Sequence, residues 1–349
     1  MNWALIGLLT ALTAPAQTPV ETALSLNTQG NLAEESGNYA EAQRLYQEAV
    51  RIFRSLGPAY EAHAASALLN FAIAMIDDGR RAAATKVLEE ALAMHRHSLG
   101  DRHLRTITNM NLLANSHLTV GEPDRGEAIF HELLPVEREL YPDDVQTART
   151  LEGLSYGLVR RNRAQEALPL AEEALRIAIQ RTGPDNLETA LAYSSVAEAH
   201  RSMGSGARAL PLYRQARALY QKALGPDSPR VATLLSQEGL ILMQDGKLAL
   251  AEQSMTQAVR MLSKSCPGCL VELTIAQSNL GLLHVRQKRY READQAYCAA
   301  IELREKLTAS RGPELADALQ SLAEVREKEH LFDDAARLNT RAQMIRGYR

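Results

Sequence analysis

A unit of 42 residues, punctuated by glycine and present eight times, limits what this chain can fold into more than anything else in its sequence. The glycine that opens Gly37-Asn-Tyr-Ala-Glu-Ala42 has counterparts at Gly79, Gly121, Asn162, Gly204, Gly246, Lys288 and His330, and only one of the steps is 41 residues. Five residues further on, a small side chain returns each time: Ala42, Ala84, Gly126, Ala167, Ala209, Ala251, Ala293 and Ala335. Self-similarity at a period of 20–50 residues is the signature of a solenoid, whose usual work is surface recognition and not chemistry.

Spacing within a unit gives its local structure. Ala42, Tyr46 and Ala49 fall at i, i+4 and i+7, one face of an α-helix. Leu26, Gly30 and Ala33 do the same upstream, and Gly37 separates the two helices. Small residues at fixed places let the second helix lie close on the first, while Tyr46 fills the gap between them. Such a hairpin cannot bury its apolar face alone and needs a stacked neighbour. A second punctuation stands between units at Gly57-Pro58, Gly100-Asp101, Gly183-Pro-Asp185, Gly225-Pro-Asp227 and Gly312-Pro-Glu314. There Gly ends one helix, and Pro or an acid is expected in the first turn of the next.

These motifs resemble the tetratricopeptide repeat in the 42-residue form of kinesin light chain-like proteins. The likeness is carried by Gly37–Val50, Thr182–Leu191, Leu224–Asp227 and Arg289–Ile301, with local departures at Glu122–Gly126 and Arg160–Arg163, and it covers about nineteen-twentieths of the chain. It implies an all-α, right-handed superhelical solenoid of about eight helix–turn–helix repeats. Units are expected at residues 22–58, 62–100, 103–142, 144–184, 186–226, 228–268, 270–312 and 314–349, after a leader at 1–16 and a linker at 17–21. The last unit, with Asn339 where earlier ones have Tyr46, Tyr213 or Tyr297, is expected to cap a complete array.

Composition agrees: 46% of the 349 residues are hydrophobic, with four Phe, as helices packed through small and aliphatic side chains require. The first sixteen residues carry no charged side chain. Their apolar stretch, Trp3 to Leu12, is too short to span a bilayer, and Ala14-Pro-Ala16 has the form of a cleavage site. This predicts a signal peptide cut near Ala16 and an exported protein, periplasmic or extracellular, with no stable membrane span. The absence of Lys or Arg in its opening residues leaves a mis-set start or an uncleaved tether as alternatives.

Cys266-Pro-Gly-Cys269 replaces the turn between the sixth and seventh units, and in an exported protein it reads as a small disulfide, with an unpaired pair or a redox or metal role as alternatives. Cys298 reads as a buried small hydrophobe. His117, His200 and His284 share one slot in units three, five and seven. Alternate repeats stand about 20 Å apart on helix-packing distances, far beyond the ~2 Å bonds of a shared metal. They are expected as packed rings where the family places an aromatic. No metal or other cofactor is expected. No phosphate-cradling loop, H-E-x-x-H or G-x-S-x-G motif is present, so the chain reads as non-enzymatic.

The resemblance also implies that four positions on the first helix of each unit line a concave groove. Their lining is slightly acidic and rich in amides and hydroxyls, which argues against nucleic acid as partner. Asn31 and Asn70 match two slots of the carboxylate-clamp members of the family, but Asn27, Thr108 and Leu112 stand at the cationic slots, so that activity does not carry over. A groove of amides can hydrogen-bond the backbone of a peptide or helical segment. The candidates are Asn27, Asn31, Asn70, Asn111, Asn115, Tyr156, Glu198, Gln237 and Asn279. The expected partner is a protein segment, with self-association through the outer or terminal surfaces as the alternative.

Overall fold

All eight turn positions of the repeat adopt the left-handed backbone that ends a helix and reverses the chain. φ is 76° at Gly37, 81° at Gly79, 88° at Gly121, 74° at Gly204 and 75° at Gly246, and the three non-glycine counterparts follow, at 59° for Asn162, 60° for Lys288 and 63° for His330. The computed structural model describes residues 18–265, 269–306 and 313–347.

Among these residues there is no strand, and sixteen α-helices form eight antiparallel pairs. The pairs are α1 (Pro19–Glu35) with α2 (Tyr39–Ser55), α3 (Glu61–Asp77) with α4 (Arg81–Leu99), α5 (Leu104–Val120) with α6 (Pro123–Leu140), and α7 (Val145–Arg160) with α8 (Ala164–Thr182). They continue as α9 (Leu187–Ser202) with α10 (Gly206–Leu224), α11 (Pro229–Gln244) with α12 (Leu248–Ser265), α13 (Leu270–Arg286) with α14 (Tyr290–Lys306), and α15 (Pro313–Lys328) with α16 (Phe332–Gly347). A single 3₁₀ turn, Pro58–Tyr60, precedes α3.

Two boundaries differ from the sequence reading. Helix α1 begins at Pro19, inside the expected linker, because Thr18 and Glu21 form a reciprocal capping box and Pro19 is pre-set for the first turn. In the Gly-Pro-Asp turns the proline stays outside the helix: Asn186 caps α9 and Ser228 caps α11, each accepting from the backbone two residues on. The glycines there sit at φ 87° with ψ near 165° in one case and 162° in the other, a region essentially closed to side chains.

The small-residue slot is where the helices of a pair meet. Ala42, Ala84, Ala167, Ala209, Ala251 and Ala293 are fully buried. Sixteen residues separate a small residue on the first helix from a large one on the second. A Cβ on Gly30 would come 2.5 Å from the Tyr46 ring, one on Gly239 would come 2.6 Å from Met255, and one on Gly281 would come 3.0 Å from Tyr297. The space a side chain would need is thus filled by the partner's ring or thioether. Every helix packs on its sequence neighbours, and first helices of successive units also touch directly, as α5 does α7 and α7 does α9.

That asymmetry bends the stack into a superhelix, with first helices on the inner side and second helices outside. Outer helices are stitched by ion pairs one unit apart: Arg54 with Glu90, Arg96 with Glu132, and Arg138 with Glu173 at 2.6 Å. The coil also returns on itself, since Arg160 at the end of α7 lies 3.6 Å from Glu314 at the start of α15, four units on. The stretch Pro58–Asp77 is apolar and long enough to cross a membrane, but half of it is buried within the stack.

Candidate functional site: the concave groove

The groove amides are largely bonded to one another across unit boundaries. Asn70 Nδ2 donates to Asn27 Oδ1 at 3.2 Å, Asn111 Nδ2 to Thr150 Oγ1 at 2.8 Å, and Asn279 Nδ2 to Ser236 Oγ at 3.0 Å. Arg105 donates to Ser66 at 3.0 Å, Gln146 to Thr108 at 3.1 Å, and Arg149 pairs with Glu188 at 2.5 Å. Each link joins the first helix of one unit to that of the next, so these side chains set the register of the inner face. Asn115 folds back onto Asn111, donating to its backbone oxygen at 2.9 Å and its side-chain oxygen at 3.0 Å. Asn31 and Glu34 both lie within 2.8 Å of the Tyr46 hydroxyl.

Glu198 is likewise engaged, accepting from Tyr213 and from Arg201, the latter at 2.9 Å through Nε. Tyr213 is pushed well above the usual phenol range, first by burial and then by the Glu198 charge. Of the nine candidates, Tyr156 and Gln237 remain uncommitted. Tyr156 is 43% exposed on the inner face of α7, and Gln237 Oε1 is buried without a hydrogen-bond partner.

Glu152, on the same helix as Tyr156, is not among the candidates named from sequence. Arg149, Glu152 and Tyr156 lie at i, i+3 and i+7 on α7, one inward face. Glu152 is only 7% exposed, yet its carboxylate makes no hydrogen bond or ion pair with the described residues, and Arg149 turns away to Glu188. Burial pushes its carboxyl up to about 8, the Glu188 charge adds to this, and Arg149 and Arg230 oppose it. The signal was present in the register: the equivalent positions in other units are Asn27, Leu69, Asn111, Ser194, Ser236, Ser278 and Gln320, all uncharged.

Remaining motifs are structural. His117, His200 and His284 are all buried; His117 Nδ1 lies 2.8 Å from Glu122, His284 Nδ1 lies 3.2 Å from Gln287, and His200 Nδ1 has no partner. Among the described residues no group of three or more His, Cys, Asp or Glu side chains gathers as a metal site requires. Cys298 is a free thiol, half-buried beside Asp294. Cys266 lies outside the described residues, and Cys269 stands at the N-cap of α13. A shallow depression of about 420 Å³ lies on α10, lined by Leu210, Pro211 and Arg214 among others, on an outer helix and away from the groove.

Tetratricopeptide repeat family models match residues 22–56, 64–105, 106–180, 188–264 and 276–307. No curated protein matches in sequence. The fold is similar to that of the Rap protein crystallised with competence and sporulation factor, with a TM-score of 0.69 and 12% identity over 94% of this chain and 86% of that one. It is similar also to the apo quorum sensor NprR from B. thuringiensis, with a TM-score of 0.68 and 12% identity over 95% of this chain and 89% of that one. BtubC (BKLC) from P. vanneervenii aligns at a TM-score of 0.50 and 20% identity over 65% of this chain and 90% of that one. At such identities the likeness speaks for the fold alone.

Proposed function

Since the chain belongs to the tetratricopeptide repeat family, we propose that it is an exported, non-enzymatic scaffold holding an extended or helical segment of a partner protein along its concave groove. The observation that carries this reading is the inner face of α7 and α11. Tyr156 stands exposed there, the largely buried Glu152 makes no hydrogen bond or ion pair with the described residues, and Gln237 Oε1 is buried without a donor, in a groove whose amides are largely joined to one another. Unmet acceptors and an aromatic surface suit a segment that brings backbone N–H groups and side chains of its own. Solved structures of similar fold include a Rap protein complexed with competence and sporulation factor and a quorum sensor, so a ligand-holding array of this shape has a structural precedent. Export rests on the uncharged apolar opening and on Ala14-Pro-Ala16, residues outside the described part of the chain.

The test is selection from a displayed random-peptide library on the immobilised full chain. Binding of the selected peptides should fall in Tyr156→Ala/Gln237→Ala, with helical circular dichroism unchanged. Asn70 and Asn111 would be poor probes, because removing them unstitches neighbouring units. Failure to select any peptide, or binders indifferent to the double variant, refutes the groove reading. A second reading, end-to-end self-association, is favoured by the apolar Phe332 and Met344 on α16, 61% and 59% exposed. Concentration-dependent sedimentation would identify it.

A further inference from the structure

A carboxylate largely shielded from water and without a hydrogen-bond partner is unusual, because little offsets the desolvation of its charge. Glu152 is in that position, on the face of a groove proposed to receive a ligand. It forms no ion pair with a neighbouring cation: Arg149 on its own helix is engaged by Glu188 on α9, and Arg230 of α11 acts on it through charge alone. It does not support a hydroxyl or amide of the groove wall either, since the Asn111–Thr150 and Asn279–Ser236 links close without it. One turn on, the Tyr156 ring is exposed. Two units along, Gln237 Oε1 is a second buried acceptor without a donor.

A side chain that ends in several N–H donors and carries positive charge answers Glu152 and Tyr156 together, while Gln237, two units on, is left for another group of the bound segment. Its charge and donors meet the Glu152 carboxylate, and the Tyr156 face attracts cations through the ring quadrupole. Resting on the groove reading, we infer that the middle of the groove is a subsite for a lysine or arginine side chain of the bound segment, with Glu152 as its ion-pair partner and Tyr156 as its aromatic wall.

Binding then carries a proton signature. The ionisable groups acting on Glu152 are Glu188 of α9, Arg149 on its own helix and Arg230 of α11, with the buried Tyr220 of α10 close enough to feel its charge. Glu152 holds a proton in the empty groove at neutral pH and gives it up to form the ion pair. The affinity for a basic peptide therefore rises with pH between about 6 and about 9.

The experiment uses the peptides selected above, resynthesised with the enriched position as Lys, Arg, norleucine or Glu, against wild-type full chain, Glu152→Gln and Tyr156→Ala. The expected result is that Lys and Arg bind the wild type at least about tenfold more tightly than norleucine, the scale of one charge-assisted contact. Glu152→Gln should erase that preference and its pH dependence while still binding the norleucine peptide. Tyr156→Ala, a surface change that leaves the fold intact, should weaken Lys and Arg more than norleucine. Selected peptides with no basic position, or a preference that survives Glu152→Gln, overturn the subsite while leaving the groove reading standing. Selection of no peptide at all overturns both.

Discussion

Glu137 offers a direct test of how burial acts on this stack. It lies on α6, fully inaccessible, and neither carboxylate oxygen has a partner in hydrogen-bonding geometry, although the Thr150 hydroxyl is close enough to temper the shift. Burial pushes its carboxyl from the ordinary 4.5 up to about 7, and the Asp144 charge adds a smaller upward push. Between those two values the folded chain holds a proton that the unfolded chain has released, so stability must fall as pH rises from 4.5 towards 7. At about 1.4 kcal/mol for each unit of difference, the loss attributable to Glu137 is about 3 kcal/mol. Glu137→Gln keeps the shape and removes the titration. Urea midpoints followed by helical circular dichroism, taken across this range for both proteins, isolate the effect, because the similar contribution of Glu152 cancels in the difference. The variant should match or slightly trail the wild type in acid and exceed it above neutrality by about 2 kcal/mol, after allowing for an unpaired buried amide. Parallel pH profiles for the two proteins would refute the reasoning.

Lys288 and His330 occupy left-handed backbone at φ 60° and 63°, where the repeat elsewhere uses glycine. Lys288→Gly and His330→Gly should each stabilise by about 0.5–1 kcal/mol, the relief of a strained Cβ less the added freedom of the unfolded chain. A lower urea midpoint in either variant would count against this. The intact mass of the chain recovered from a bacterial envelope should lack residues 1–16 and should gain the mass of two hydrogens on reduction, as a bridge between Cys266 and Cys269 requires. An uncut chain argues against export, and an unchanged mass argues against the bridge.

Much of the fold was legible because the repeat writes its geometry into every copy. The eight turn positions predicted from spacing all have positive φ, including the three where glycine is replaced. The small residue five places on is buried wherever it is alanine. Both signals are local: the first is a backbone dihedral, and the second is contact between two helices joined by a short turn. The groove was less legible. Its lining positions followed from register, but whether Asn70 faces a ligand or Asn27 depends on the rotation of one unit against the next. No single unit encodes that rotation. Asn27, Asn70, Asn111 and Asn279 therefore turned out to join units, whereas Glu152, one acid in a row of neutral residues, is largely buried and makes no such link.

The contact between Arg160 and Glu314 bears on the mechanics of the whole coil. The other links described here join groups within one unit or between adjacent units, so their loops are short and inexpensive to close. This one spans four units. A partly exposed ion pair contributes only about 0–1 kcal/mol, too little to fix the pitch against thermal motion. Pitch is instead the sum of seven unit-to-unit rotations, each set by side-chain links such as those of Asn111 and Arg149. The array therefore behaves as a spring whose stiffness is distributed along its inner face. A small adjustment at every joint adds up at the ends, and the width of the groove is an elastic property of the stack.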